Sequence, residues 1–511
     1  MHHPPGRARP LTSGTAPTTR TPARARLPEA AVVACHLALL CGALAIAAPT
    51  VAVPTTSGAL HLSPAQSQWF AAGYQLMAGP LHLGAGRLAD RFGPRRILLT
   101  ALALFTTGSL LAVTAADAPS LIAARLLQGT GGSALSPVSL ALLLSLRRSP
   151  SGNEARAVAG WVSTAATASC LGPPLGGFLT GAFGWRGVFG ALAVLAAVTA
   201  CCCARSLPAH KPLTPPAPVD TTGIALCTGA AAATLIALTG PTAAAPATVA
   251  PAAAASAAAL LALLVRRTRW HPHPAFDPHL LRRGPAKRAL VGLFTLFAAN
   301  SAFTFLAYFH LSHAHGLGPL RATLVMLPAT VPAVLTARAG AARSAQGRGP
   351  VLLRAGLLAV ASGLFVATAG LRHPTPLWLL GGASFLVGCG LGLANGAAMT
   401  EVTSHRAPHH TSRATAMATT FAMLGGASGP AVAGAVLSVL GRLPFLCGAP
   451  SCDLPGAAFA PAEDTSGGLH GSWTVVQQDA TAGVHLTLAL IALATAAAAF
   501  ALTRRRPRPA G

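Results

Sequence analysis

The chain has 511 residues, of which 52% are hydrophobic and 9% charged, with a net charge of +25 and a mean hydropathy of +0.57. A soluble protein carries roughly 25% charged residues, so this chain cannot cover a water-facing surface of the usual kind and is expected to be an all-α polytopic membrane protein. Its ten cysteines form no CxxC pair and no Cys/His ligand spacing, so neither a metal site nor a cofactor is expected.

In chain order, residues 1–28 are rich in Pro, Thr, Ala and Arg and lack an apolar core. They read as a disordered basic tail rather than a signal peptide. From Ala30 onward, apolar runs long enough to cross a bilayer recur. Fourteen spans are expected, centred near residues 42, 76, 106, 132, 170, 193, 231, 256, 299, 330, 361, 389, 427 and 491. The Ala-rich runs at 221–240 and 246–265 carry the weakest apolar signal. Segment 442–479 holds Asp453, Glu463, Asp464 and Asp479 but one arginine, and reads as an outer loop. Cys447 and Cys452 lie in it and would form a local disulfide if the loop faces an oxidising space. The other eight cysteines read as small apolar packing residues.

An even number of spans puts both termini on one side. With that side cytoplasmic, 31 of the 36 lysines and arginines fall inside, while Arg186, Arg321, Arg372 and Arg442 fall in outer loops. This positive-inside bias accounts for the net charge with no nucleic-acid partner. Only Arg125 remains, inside a helix.

Two places in the chain repeat. Arg156-Ala157 and Arg413-Ala414 are each followed by Gly-Pro, at Gly172-Pro173 and Gly429-Pro430, an offset of 257. Gly93-Pro94 and Gly349-Pro350 agree at an offset of 256. Both copies start after an even number of spans, so they are parallel repeats, an architecture known for transporters. The expected organisation is a six-helix bundle at 29–206, two extra membrane helices at 207–268, a cytoplasmic linker at 269–287, a second six-helix bundle at 288–503, and a basic cytoplasmic tail at 504–511.

GAGRLADRFGPRR (84–96) falls at the turn between the second and third spans. Gly84 and Gly86 suit close helix approach, Gly93-Pro94 makes the turn, and Asp90 is placed to cap the next turn or to pair with neighbouring arginines. Gly86, Asp90, Arg91, Gly93, Arg95 and Arg96, with Leu88 and Ala89, closely resemble the signature loop of the major facilitator superfamily. The resemblance implies that fold, with two bundles alternating in access, and a cytoplasmic gating contact at this loop that stabilises one access state.

ARLLQGTGGSALSP (124–137) puts Arg125, Gln128 and Gly129 on one helix face. A lone arginine in a membrane helix costs about 2.5–3.5 kcal/mol, so Arg125 either faces a cavity or partner or snorkels to the outer interface. The trio resembles the superfamily's fourth-span motif, which implies a role in the cavity or in proton coupling. In GWVSTAATASCLGPPLGG (160–177), Gly160, Thr164, Ala168, Gly172 and Gly176 recur every four residues, beside Gly177. They make a flat stripe, either a rocking surface or a static seam, and Pro173 with Pro174 are expected to kink the helix. This stretch resembles the motif of drug:proton antiporters, and GWRGVFG (184–190) resembles the sixth span of their fourteen-span branch.

The resemblance spans about residues 30–505 and implies proton-driven export of small amphipathic molecules from the cell membrane, by a protein expected to be monomeric. That branch often carries a first-span aspartate, whereas here Ala45 holds the position. Asp117, Asp479 and Glu401 lie near helix ends, and His36, His82 and His310 are the titratable residues within or near spans. Trp69, Tyr74, Gln75, Asn300, Tyr308 and Asn395 are candidate cavity residues, or else packing and helix-linking ones. A cavity with few acids suits neutral, anionic or mixed apolar substrates. The rival readings are a proton symporter or facilitator for uptake, and a non-transporting sensor of the same fold. No paired acids or nucleophile constellation points to an enzyme.

Overall fold

The structure, a computed structural model, describes residues 29–146, 153–208, 218–240, 246–282, 284–368, 376–403, 408–440 and 470–503. Both chain tails, most of the expected outer loop and Cys447 with Cys452 lie outside the described residues. Regular structure among those described is helical throughout.

The order begins α1 (Glu29–Val51), α2 (Val53–Ala59), α3 (Pro64–Phe92), α4 (Pro94–Thr114), α5 (Ala118–Leu146) and α6 (Asn153–Ser206). The two Ala-rich runs form α7 (Thr221–Thr239) and α8 (Val249–Trp270), and short α9 (Pro278–Arg282) follows. The chain continues through α10 (Gly284–His313), α11 (Pro319–Met326), α12 (Thr330–Arg343), α13 (Gly349–Ala367), α14 (Leu377–Thr403), α15 (Pro408–Leu440) and α16 (His470–Thr503). Local chemistry sets the ends. Ser63 and Gln66 form a reciprocal capping box at the start of α3. Pro94, whose missing N–H costs nothing at a helix start, opens α4.

Ten helices among the described residues have the length and hydropathy to cross a membrane. Two of these, Ser163–Ser206 and Pro319–Ala367, are long for a single passage and contain a break. The breaks fall at Gly184 (φ 70°, ψ 176°) and Gly347 (φ 82°, ψ 6°), backbone conformations that favour glycine. Pro173 and Pro174 lie inside α6, and the residue with non-helical torsions there is Gly184. Large apolar side chains such as Val194, Val351 and Phe365 are more than half exposed, as lipid-facing positions should be.

The internal repeat reappears as packing. In the first bundle, the Gly172 position abuts Ala47 of α1. In the second, a Cβ at Gly429 would stand 2.5 Å from the Ala298 carbonyl of α10. Each bundle thus presses its Gly-Pro helix, α6 or α15, onto its own first helix. The central helices match as well. Gly129 of α5 meets the Tyr74 backbone of α3, and Gly388 of α14 meets the Ala329 backbone just before α12. Such close approach is what small residues supply where lipid offers no hydrophobic drive to helix association.

Gly172→Leu and Gly429→Leu should each destabilise the protein by about 1–3 kcal/mol through overpacking, whereas Gly181→Leu, with open space around its Cβ position, should be neutral. Thermal unfolding of the three purified variants in detergent checks this.

Candidate functional site

The α5 motif turns its polar face inward. Arg125 is 3% exposed, so it does not snorkel. Its guanidinium donates to the carbonyls of Ala45 (3.2 Å) and Phe70 (3.4 Å) and to the side-chain oxygen of Gln128 (2.5 Å). The Tyr74 ring centroid lies 5.3 Å from the guanidinium carbon, and those of Phe70 and Phe189 lie 5.8 Å from it. Gln128 in turn donates to Ser109 (2.8 Å), and the Tyr74 hydroxyl to the Gly42 carbonyl (3.2 Å). Where a first-span aspartate would stand, Arg125 therefore meets a backbone carbonyl and three aromatic faces. These are the two compensations open to a buried cation without a carboxylate.

The 84–96 loop is a one-residue turn. Gly93 takes φ 92°, donates its N–H to Ala89 (2.9 Å), and α4 starts at Pro94. Asp90 is exposed and does not cap α4, and no hydrogen bond or ion pair to it is found among the described residues. Partial burial pushes its carboxyl up from the usual range. Gly84 fulfils its expected role, lying against Ile224 of α7. Gly86 does not, because nothing lies within 4 Å of its Cβ position. Arg91 lies over the Phe92 ring at 5.3 Å, Arg95 donates to the Ala204 carbonyl at the end of α6 (2.5 Å), and Arg96 is exposed.

The bundles meet along two seams. Along α3 and α15, Gln68 fits at Gly434, Gln75 at Gly426, and Thr420 donates to the Gly79 carbonyl (2.8 Å). Along α6, a Cβ at Gly177 would stand 2.6 Å from the Thr323 hydroxyl of α11, and Cys170 donates to the Thr330 carbonyl of α12 (3.5 Å). Of the antiporter-like stripe, Gly160, Gly172 and Gly176 pack on His36, Ala47 and Ala48 of α1, a seam internal to the first bundle. His36 adds a 2.8 Å hydrogen bond to Thr164. Gly177 alone of these glycines faces the second bundle.

The expected cavity residues scatter. Trp69 donates to Thr239 of α7 (3.3 Å), and Tyr74 belongs to the Arg125 cage. Tyr308 is buried and bonds to Thr323. Of these, Gln75 alone stands in the α3–α15 seam, Asn300 is half-buried in α10, and the buried side-chain oxygen of Asn395 has no partner among the described residues. Sequence reading missed Phe70, Phe189 and Ser109. Phe70 precedes Tyr74 by four residues and shares its helix face, the one signal available.

Residues 35–430 match the family model described as Major Facilitator Superfamily. The chain belongs to that superfamily. The Methylenomycin A resistance protein of Streptomyces coelicolor is 31% identical over 83% of this chain and 90% of its own length. The Puromycin resistance protein pur8 of Streptomyces alboniger is 30% identical over 86% of each. Among solved structures, the nucleoside transporter NupG superposes with a TM-score of 0.61 at 12% identity, covering 93% of this chain and 100% of that one. This superfamily member is a multi-pass membrane transporter, and in it the arginine cage stands inside a single bundle rather than between the two.

Arg125→Lys should not substitute for the guanidinium, because a compact ammonium lacks the planar fork of donors that reaches Ala45, Phe70 and Gln128 in their fixed directions. A loss of about 1.5–3 kcal/mol is expected for charged hydrogen bonds of this kind. It should read out as a lower unfolding temperature together with lost transport.

Proposed function

We propose that the protein exports small amphipathic molecules of the antibiotic class by proton antiport with alternating access. Superfamily membership along residues 35–430 together with similarity to two antibiotic resistance proteins carries this reading. Counting α3 and α16, and dividing α6 at Gly184 and Pro319–Ala367 at Gly347, gives fourteen passages. The positive-inside bias then puts the 84–96 turn and both termini in the cytoplasm, in the cell membrane.

The seams fit one access state. Gln68 with Gly434, and Gly177 with Thr323, join the bundles toward the end away from the 84–96 turn. Among the described residues, Asp90 has no partner at the turn itself. In this reading, Asp90 finds its contact when the bundles rock and the cytoplasmic end closes. Asp90→Ala should therefore lower transport while leaving membrane insertion unchanged.

A proton carrier is needed where Ala45 replaces the acid. His82 is 4% exposed, and its Nδ1 has no hydrogen bond among the described residues. It follows Gly79 by three residues and so shares the α3 face that meets α15. A titratable ring on the face between moving bodies is placed to sense both states. With few acids near the bundle centre, the cargo is a neutral, anionic or mixed apolar molecule rather than a dication.

Reconstitution in proteoliposomes with an imposed pH gradient and a panel including puromycin tests the reading. Inside-out vesicles should accumulate cargo only with an acid interior, and gradient-independent uptake would favour a facilitator. His82→Gln should abolish gradient-driven accumulation while sparing cargo exchange at equal pH; equal loss of both would remove His82 as carrier.

A further inference from the structure

The helices between the bundles, α7 and α8, have no part in the transport cycle described so far. α7 lies along the α3–α15 seam, where Leu235 clusters with Ala72 and Leu76 of α3 and with Ala427 and Ala431 of α15. Its two neighbours hold it in different ways. Toward α3 the contacts are directional and interlocked. Trp69 donates to Thr239 near one end of α7, and Ile224 fills the notch at Gly84 near the other. Toward α15, the cluster presents the methyl groups of Ala427 and Ala431. A hydrogen bond in hydrocarbon has no water to replace it, so it is not readily exchanged. A surface of methyl groups imposes no such register.

The hairpin is also tied at its base. Asp220, with a side chain 1% exposed, caps α7 by accepting from the Gly223 N–H (2.9 Å). The same carboxylate accepts from Arg267 in the last turn of α8 (2.7 Å) and from the Ala275 N–H of the linker (2.9 Å). Burial alone would push the carboxyl up, but Arg267 and the two N–H groups outweigh it and hold it below the usual carboxylate range. Arg87 of α3 completes the tie. It donates to the carbonyls of Pro218 just before α7 (3.4 Å) and of His273 (3.4 Å) and Pro274 (3.2 Å) in the linker. One carboxylate and one guanidinium thus bind both hairpin helices and the linker to the base of α3.

We propose that Asp220 and Arg87 are positioning residues that fasten the α7–α8 hairpin to the first bundle as one rigid body, so that α15 slides over a composite α3–α7 surface during transport. This rests on the transport reading above for the sliding step, while the fastening stands by itself. The hairpin then widens the moving interface without adding a hinge to it.

Two measurements separate the parts. In a background freed of native cysteines, Leu235→Cys is paired with Ala72→Cys or with Ala431→Cys and bridged by a short thiol cross-linker, with puromycin efflux from vesicles as the readout. The 72–235 bridge should leave efflux within about twofold of the unbridged pair, while the 235–431 bridge should lower it about tenfold or more, as expected when a cross-link blocks a required domain motion. Arrest by the first bridge, or free turnover with the second, would overturn the proposal. Amide hydrogen exchange of purified Asp220→Ala needs no cargo. Exchange at 221–225 and 271–277 should rise about tenfold while 413–440 stays unchanged, as for local opening after loss of a charged hydrogen-bond hub. Unchanged exchange at 221–225, there and in Asp220→Asn, would refute the fastening. Absence of puromycin efflux in the unmodified protein would count against the export reading alone.

Discussion

A guanidinium buried at the centre of a membrane bundle has to find every partner among the helices around it, and Arg125 does so with carbonyls, one amide and three aromatic faces. Lipid supplies no hydrogen bond, and an unsatisfied polar group there costs several kcal/mol. The four helices α1, α3, α5 and α6 are therefore not free to choose their mutual rotation. Ala45 must offer its carbonyl, Phe70 and Tyr74 their rings, and Phe189 its ring from beyond Gly184. The packing around the cage follows from this. Gly129 lets the α3 backbone come close enough for the Tyr74 ring to lie over the guanidinium, and Gly42 lets the Tyr74 hydroxyl reach α1. The glycines of α5 make room for the cage that the arginine requires.

The absent first-span acid takes its meaning from the same geometry. A carboxylate beside Arg125 would pair with it and hold a proton site next to a fixed charge. With Ala45 in that place, the cation is spread over aromatic faces, which neither titrate nor dissociate near neutral pH. The cage becomes a structural constant of the first bundle, holding its cation without a carboxylate. His82, a titratable ring of α3, lies apart from it, three residues beyond Gly79 of the α3–α15 seam.

The helices were legible because apolar runs of membrane length have few alternatives, and the Gly93 turn because Gly-Pro after a basic helix end leaves little choice. The cost of exposing Arg125 to lipid left burial or snorkelling, and the structure decides for burial. Which neighbour each face meets was not legible. Gly84 and Gly86 look equivalent in the sequence, yet one touches α7 and the other touches nothing, because their directions differ by two residues of helix rotation. Trp69 and Tyr74 read either as cavity residues or as packing and helix-linking ones; one reaches the hairpin and the other the arginine. The break at Gly184 was not legible either, because it depends on a torsion that a Cβ disfavours. The repeat was legible as spacing, but its content, a glycine helix pressed on the first helix of each bundle, required coordinates.

Several residues whose neighbours the sequence left open lie on one helix. α3 uses almost its whole circumference. Phe70 and Tyr74 face the cage, Gln68, Gln75 and Gly79 face α15, Trp69, Ala72, Leu76 and Gly84 face α7, and Arg87 grips the linker. A helix committed on three sides has little lipid face, which is why α3 carries glutamines and a histidine and does not rank among the ten helices apolar enough to cross by hydropathy. Its 29 residues make a rod about 44 Å long at 1.5 Å per residue, and helical torsions run through Pro80. One continuous helix thus links the 84–96 turn to the arginine cage, the α3–α15 seam and the hairpin.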